Sequence, residues 1–236
     1  MMKTIGLIGG MSWESSAEYY RLINEEMKLR LGGHRNARSI MTTLCFEEVR
    51  VMQYEGRWDA LGELMAQAAR QLEAGGADFV VLCTNTMHKL TVAIEAAIGV
   101  PFLHIADPTA QAIRQAGLTR VCLLGTRFTM EQDFLRERLE RMHGLEVVIP
   151  DAADRGVVHD IIYDELCHGI VGDESRASYQ RIIERARAAG AQAVILGCTE
   201  ISLLIKPTDS VLPVFDTTEL HARAAVSMAL SDMENG

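Results

Sequence analysis

Two short stretches of this chain end an apolar run on side chains that can move protons. "VVLCTNTMH" (80–88) closes on Cys83, Thr84, Asn85, Thr86 and His88, and "VILGCTE" (194–200) closes on Cys198, Thr199 and Glu200. A thiol with an unperturbed pKa of about 8.5 is already a few per cent ionised near neutrality, so a cysteine at such a position is a candidate base. An aliphatic hydroxyl ionises near the value for water, about 15.7, roughly seven units higher. At about 1.36 kcal/mol per unit, an alkoxide costs on the order of 10 kcal/mol more than a thiolate. Threonine therefore cannot rest as a base, but its neutral hydroxyl can donate or relay a proton.

Which residue of the first stretch matches Cys198 depends on the elements that carry both. "TIGLIGG" (4–10) reads as a buried strand meeting a glycine turn, and "SSAEYYRLINEEMKLRL" (15–31) carries a largely helical apolar stripe. "SIMTTLCF" (39–46) reads as a second strand, 58–76 as a helix with a glycine stop, "DFVVLC" (78–83) as a third strand and "VPFLHI" (100–105) as a fourth. This alternation calls for parallel sheets covered by helices, an α/β fold. The pattern then recurs. "RVCLLGT" (120–126) resembles "TIGLIGG", "AAGAQAVILGCTE" (188–200) resembles "AGGADFVVLCTNT" (74–86), and "LPVFDTT" (212–218) resembles "VPFLHIADPT" (100–109). Three landmarks in order at nearly one offset indicate a duplicated α/β unit. Aligning Gly76 with Gly190 puts Leu82 on Leu196, Cys83 on Gly197 and Thr84 on Cys198. Because side chains alternate faces along a strand, Cys83 is expected to point into packing, and Thr84 is the counterpart of Cys198.

Bulk properties narrow the classes. Over 236 residues, 48% hydrophobic and 23% charged describe a globular chain, and a net charge of −9 without a basic block argues against a nucleic-acid surface. No window reaches the roughly 18 apolar residues of a membrane span, and the N-terminal apolar run is too short for a signal peptide. Five scattered cysteines without CxxC spacing oppose a disulfide framework or a structural zinc site and fit a reducing, cytoplasmic setting. Open α/β sheets bind ligands beyond the carboxyl ends of their strands, where helix N-termini offer N–H groups. Such a terminus is expected to favour the Cys198 thiolate.

"IGGMSWES" (8–15), "TNTMH" (84–88) and "GCTE" (197–200), with "YY..IN" (19–24) and "IIYDEL" (161–166), resemble the signature segments of the aspartate/glutamate racemase family over nearly the whole chain. The resemblance implies two pseudo-symmetric α/β domains with the active site in the cleft between them, residues 1–112 completed by a C-terminal helix (217–236), and 113–216. It implies no pyridoxal phosphate or other cofactor, a small amino-acid substrate and a homodimer, and no metal is expected, because Cys198, His88 and Glu200 lack the local paired spacing of most zinc sites. It also implies two cysteines that remove and return the α-proton on opposite faces. Here the sequence departs from the family, whose "C-N-T-x-H" appears as Thr84-Asn85-Thr86-Met87-His88. One thiol, Cys198, and one hydroxyl, Thr84, are left as the acid–base pair. Since the family's second cysteine serves the L-enantiomer, L-aspartate or L-glutamate is the expected substrate.

By the same resemblance, Asn85, Thr86 and Thr199 hold the α-carboxylate and Gln53 recognises the side chain. The turn at Gly9, Gly10, Met11 and Ser12 offers backbone N–H groups. Glu200 either receives the ammonium group or is a charge favoured at a helix start. His88 either orients a proton relay or is an ordinary hydrogen-bonded histidine, and Arg35, Arg38 and Arg50 are equal candidates for a distal carboxylate. A racemase of broad specificity, a single-cysteine decarboxylase or cis–trans isomerase of small diacids, and a binding protein for acidic amino acids remain as alternatives. The spacing Gly6-x-x-Gly9-Gly10 is a weak dinucleotide signal.

Overall fold

β-Branched and leucine runs bounded by glycine form the strands, and the alanine- and leucine-rich stretches between them form the crossovers that parallel pairing requires. The structure is a computed structural model and describes residues 1–234. The described residues divide into two units, 1–104 with 221–234, and 105–220. The first contains β1 (Thr4–Gly9), α1 (Trp13–Leu31), β2 (Arg38–Thr43), α2 (Phe46–Tyr54), α3 (Trp58–Ala74), β3 (Phe79–Leu82), α4 (Thr91–Glu95) and β4 (Phe102–Leu103). The second contains α5 (Ala106–Gln115), β5 (Arg120–Gly125), α6 (Arg127–Glu131), α7 (Asp133–Glu137), β6 (Glu146–Val148), α8 (Ala152–Asp160), α9 (Asp173–Ala188), β7 (Ala193–Gly197), α10 (Ile201–Leu204) and β8 (Val214–Asp216). Helix α11 (Thr217–Glu234) begins in the second unit and continues in the first.

Both sheets are parallel and four-stranded, ordered β2-β1-β3-β4 and β6-β5-β7-β8. Their registers match. Ile5 pairs with Phe79 and Ile8 with Leu82 in one sheet, as Val121 pairs with Ala193 and Leu124 with Leu196 in the other. Gly76 and Gly190 open the equivalent strands with φ of 93° and 92°, a left-handed turn that a side chain would strain. The strand order reverses between β1 and β3, and between β5 and β7, so each sheet has its switch point at the carboxyl ends of its two central strands.

Strand alternation distributes the cores. In the first unit Ile5, Leu7, Phe79, Val81 and Cys83 pack with Tyr19, Ile23 and Met27 of α1 and Ala222, Ala225 and Val226 of α11. Ile8, Val80 and Leu82 pack on the opposite face with Leu61, Met65 and Leu72 of α3. In the second unit Cys122, Leu124, Val194 and Leu196 face Tyr179, Ile182 and Ile183 of α9. Val121, Leu123, Ala193 and Ile195 face Ile105, Ala110 and Ile113. Each fully buried aliphatic side chain contributes about 1.5–3 kcal/mol.

Two boundaries differ from the sequence expectation. The second strand stops at Thr43 rather than running to Phe46, because Phe46 opens α2. The chain leaves the first unit after His104, ahead of the break expected near 112, because α5 buries Ala106, Ala110 and Ile113 against the second sheet. No helix among the described residues is long and apolar enough to cross a membrane.

Candidate active site

In the first unit the switch point is built from the ends of β1 and β3. After Gly9 the chain turns through Gly10, whose φ is 91° and where a Cβ would collide with the Leu44 backbone. Ser12 then caps α1, its hydroxyl accepting from the Ser15 N–H at 3.3 Å. The Gly10 N–H, expected to serve a ligand, donates instead to Ser16 Oγ at 2.8 Å, and that hydroxyl donates to the Ser12 carbonyl at 2.9 Å. Helix α1 thus satisfies the turn internally. Met11 is buried among the residues that pack against α3.

At the end of β3, Cys83 is fully buried on the side facing α1 and α11, and burial drives its thiol pKa far up. It is packing, as strand alternation predicts. Thr84, the next residue, is partly exposed. Asn85 and Thr86 follow, both nearly buried, and Thr86 starts a 3-10 turn that runs to Leu90. Gln53, on α2, reaches the same turn: its Nε2 donates to Met87 Sδ at 3.0 Å, and its buried Oε1 has no hydrogen-bond partner. A thioether is a weak acceptor, so this amide is held in place with most of its hydrogen-bonding capacity unspent.

The equivalent point in the second unit is the end of β7, where Cys198 occupies the step that Thr84 occupies after β3. Its thiol donates to Glu200 Oε2 at 2.9 Å. The residue keeps some exposure, yet its pKa is pushed well above the ordinary thiol value, first by burial and then by the Glu200 carboxylate. This reverses the sequence expectation. The helix after Cys198, α10, has only four residues and supplies little dipole, whereas Glu200 lies in direct contact. The resting group is a thiol with a carboxylate acceptor already bonded to it. Glu200 is thereby placed on the sulfur rather than being a solvated charge at a helix start.

Thr199 is nearly buried and accepts from Thr218 Oγ1 at 3.2 Å, while Thr217 Oγ1 donates to the Leu196 carbonyl at 2.8 Å. Asp216 accepts the N–H groups of Thr218 and Glu219 at 2.8 and 3.3 Å, and burial raises its pKa. Helix α11 therefore starts by tying down the loop that carries Cys198. Sequence reasoning missed Asp216 and Thr218. The signal was present in "DTTE" (216–219), the spacing of a capped helix start. It also missed Tyr179 of α9, fully buried near Cys198, Glu165 and Glu200, which are electrostatic contributors to its raised pKa after burial itself.

Of the three arginines offered for a distal carboxylate, two are bonded and one is exposed. Arg50 pairs with Glu47 at 2.8 Å on the surface, Arg35 donates to the Leu31 carbonyl, and Arg38 is exposed. Lys89 sits over the Trp58 ring at 3.7 Å. Among the described residues, no three histidine, cysteine or acidic side chains converge as a metal site.

Comparison with known proteins places this arrangement. The model of the Asp/Glu/Hydantoin racemase family matches residues 8–225. A candidate Asp/Glu racemase from Yersinia pestis superposes with a TM-score of 0.92 at 51% identity, over 97% of this chain and 100% of that one. An aspartate racemase homologue from Pyrococcus horikoshii OT3 gives 0.85 at 33% identity, over 97% and 99%. The broad specificity amino-acid racemase RacX of Bacillus subtilis (strain 168) is 27% identical over 73% of this chain and 74% of its own length. With the family model spanning both units and both strand-end segments, the chain belongs to the Asp/Glu/hydantoin racemase family, a family of isomerases.

Proposed function

We propose that this protein is a cofactor-independent amino-acid racemase, acting on aspartate or glutamate, in which Cys198 and Thr84 serve opposite faces of one α-carbon. The observation that supports the pair most directly is equivalence: each residue follows the central strand at the switch point of its own sheet, in the same register. Cys83, the other thiol near Thr84, is sealed in packing.

The steps balance as follows. The Cys198 S–H proton passes to Glu200, and the thiolate takes the α-proton of the L-substrate. The C–H electron pair delocalises into the α-carboxylate, which Asn85, Thr86 and Thr199 hold beside Met11 and Ser12. Thr84 gives its hydroxyl proton to the opposite face and takes one back from solvent water, and Glu200 releases its proton to the hydroxide so formed, which restores the Cys198 thiol, the Glu200 carboxylate and the Thr84 hydroxyl. In the D-to-L direction the same steps run backwards, the α-proton passing through the Thr84 hydroxyl to a solvent hydroxide, so threonine is a relay both ways and never rests as an alkoxide.

A second reading, broad specificity, is supported by RacX among the relatives and by Gln53. Rotation of the Gln53 amide about its last carbon–carbon bond presents either NH2 to a carboxylate or C=O to a donor. A site with such an amide and no committed arginine accepts acidic and polar side chains alike. Arylmalonate decarboxylase shares the fold at 21% identity and a TM-score of 0.52, which carries no chemistry to this chain.

The test is α-proton exchange in D2O across a panel of L- and D-amino acids without added cofactor. Exchange and inversion of aspartate and glutamate are expected, abolished by Cys198→Ala and faster in Thr84→Cys. Enantiomers have equal free energy, so kcat/KM is the same in both directions, and preference for L is visible only in kcat and KM separately or in exchange. Faster deuterium entry into the D-substrate would move Cys198 to the other face. Carbon dioxide release, or binding without exchange, would replace the racemase reading altogether.

A further inference from the structure

Thr84 has little of its own to hold it. Beyond Cys83, whose N–H donates to the Ile8 carbonyl at 2.9 Å, the chain leaves the sheet. In an α-helix the N–H of residue 88 would bond the carbonyl of residue 84. Here the turn is 3-10, and the His88 N–H goes to the Asn85 carbonyl at 3.0 Å. The Thr84 carbonyl is met instead by the His88 ring, Nδ1 to O at 2.7 Å. A carbonyl only accepts, so Nδ1 carries the hydrogen.

The ring that makes this bond is itself caged. His88 is 2% exposed. It packs against His104 with ring centroids 4.6 Å apart, against Phe102 at 5.6 Å and against His221 at 5.7 Å. His221, fully buried on α11, is held at both nitrogens: Nε2 donates to the Leu103 carbonyl at 2.8 Å, and Nδ1 accepts from the Tyr19 hydroxyl at 2.8 Å. Elements far apart in sequence thus meet on one imidazole. Buried polar groups are retained at a cost unless they are bonded, and a satisfied network of this kind is rigid. Three histidines and a tyrosine in a core that otherwise packs alanine, valine and isoleucine need a reason beyond filling space.

We propose that His88 is the positioning residue of Thr84, its Nδ1–H fixing the Thr84 carbonyl so that the hydroxyl is presented to substrate in one orientation. His104, His221 and Tyr19 hold the His88 ring at the angle this requires. The inference rests on the reading of Thr84 as the proton donor for one face of the α-carbon. His88 does not touch the reacting atoms. Its effect is confined to the step that Thr84 performs.

That confinement is the test. Deuterium entry into recovered L-substrate needs only Cys198, whereas inversion to the D-enantiomer also needs Thr84. Asparagine places an amide N–H near the position of the histidine Nδ1, and glutamine places it near Nε2. In D2O with L-aspartate or L-glutamate, His88→Asn is expected to invert within about threefold of the wild type. His88→Gln is expected to fall at least about tenfold in the kcat for inversion, with deuterium entry into L-substrate unchanged. Inversion by His88→Gln equal to or faster than His88→Asn would overturn the proposal, as would equal losses of exchange and inversion in both. Thr84→Ala is the control on the underlying reading. If it inverts at the wild-type rate, the role of Thr84 and this inference both fall. If it loses inversion while His88→Gln keeps it, only His88 does. Should the variants not fold, nitrogen-15 spectra of the wild type decide, since an Nε2–H tautomer at His88 contradicts the bond to Thr84.

Discussion

Replacing Glu200 by glutamine separates the two effects that this carboxylate exerts on Cys198. Its negative charge opposes formation of the thiolate, and its oxygen, 2.9 Å from the sulfur, is the acceptor for the thiol proton. At that distance a unit charge pair costs about 1.4 kcal/mol even at the dielectric constant of water, and about 6 kcal/mol at an effective value of 20. Taking the lower figure, Glu200→Gln raises the thiolate population at a fixed pH by about tenfold. The glutamine N–H can donate to the sulfur anion, which acts in the same direction. Part of the gain is lost because a less basic thiolate is a weaker nucleophile, leaving roughly a threefold faster alkylation. The assay is iodoacetamide labelling against pH, with Cys198→Ala run in parallel to subtract exposed Cys45 and partly exposed Cys167. In the wild type, labelling of Cys198 is expected to keep rising above the ordinary thiol range, and in Glu200→Gln the curve moves to lower pH. Turnover should move the opposite way, falling on the order of 100-fold or more as the proton acceptor is removed. A folded variant whose Cys198 labels no faster, or which labels faster and racemises normally, refutes the assignment of Glu200 as both brake and acceptor.

Cys83→Ser puts a hydroxyl into the apolar core around α1 and α11 and should cost about 1–3 kcal/mol of stability, read from urea midpoints. Turnover per folded molecule is expected to be unchanged, and a catalytic loss without unfolding would return Cys83 to the site. Gln53→Leu removes an amide whose only shown partner is a thioether, so stability should hold. KM for aspartate and glutamate should rise by about 10-fold or more, the worth of a hydrogen bond to a charged group, with kcat less affected. A changed kcat at constant KM would show that Gln53 serves the reacting centre rather than the side chain.

Much of the frame was legible before any coordinates. The period of two along β3 and β7 is a local pattern, and comparing its phase in the two halves was enough to turn Cys83 inward and match Thr84 with Cys198. The parallel architecture followed from alternating buried strands and helical stripes for the same reason. Helix and strand ends were less legible. The short α2 and the end of β2 at Thr43 are set by packing on α3, which no residue of "SIMTTLCF" announces.

The site's chemistry divides along that line. Residue order by itself determined which side chains stand at the strand ends, since backbone geometry alternates faces whatever lies around it. Only the tertiary structure decided what those side chains meet. It gave the Gly10 N–H to Ser16, set Glu200 against the Cys198 thiol so that the pKa rises where a helix end was expected to lower it, and brought His104 and His221, the latter held by Tyr19, against His88. Hydrogen bonds and desolvation depend on distances between residues remote in the chain, and those distances exist only once the sheets have formed and the helices have closed over them.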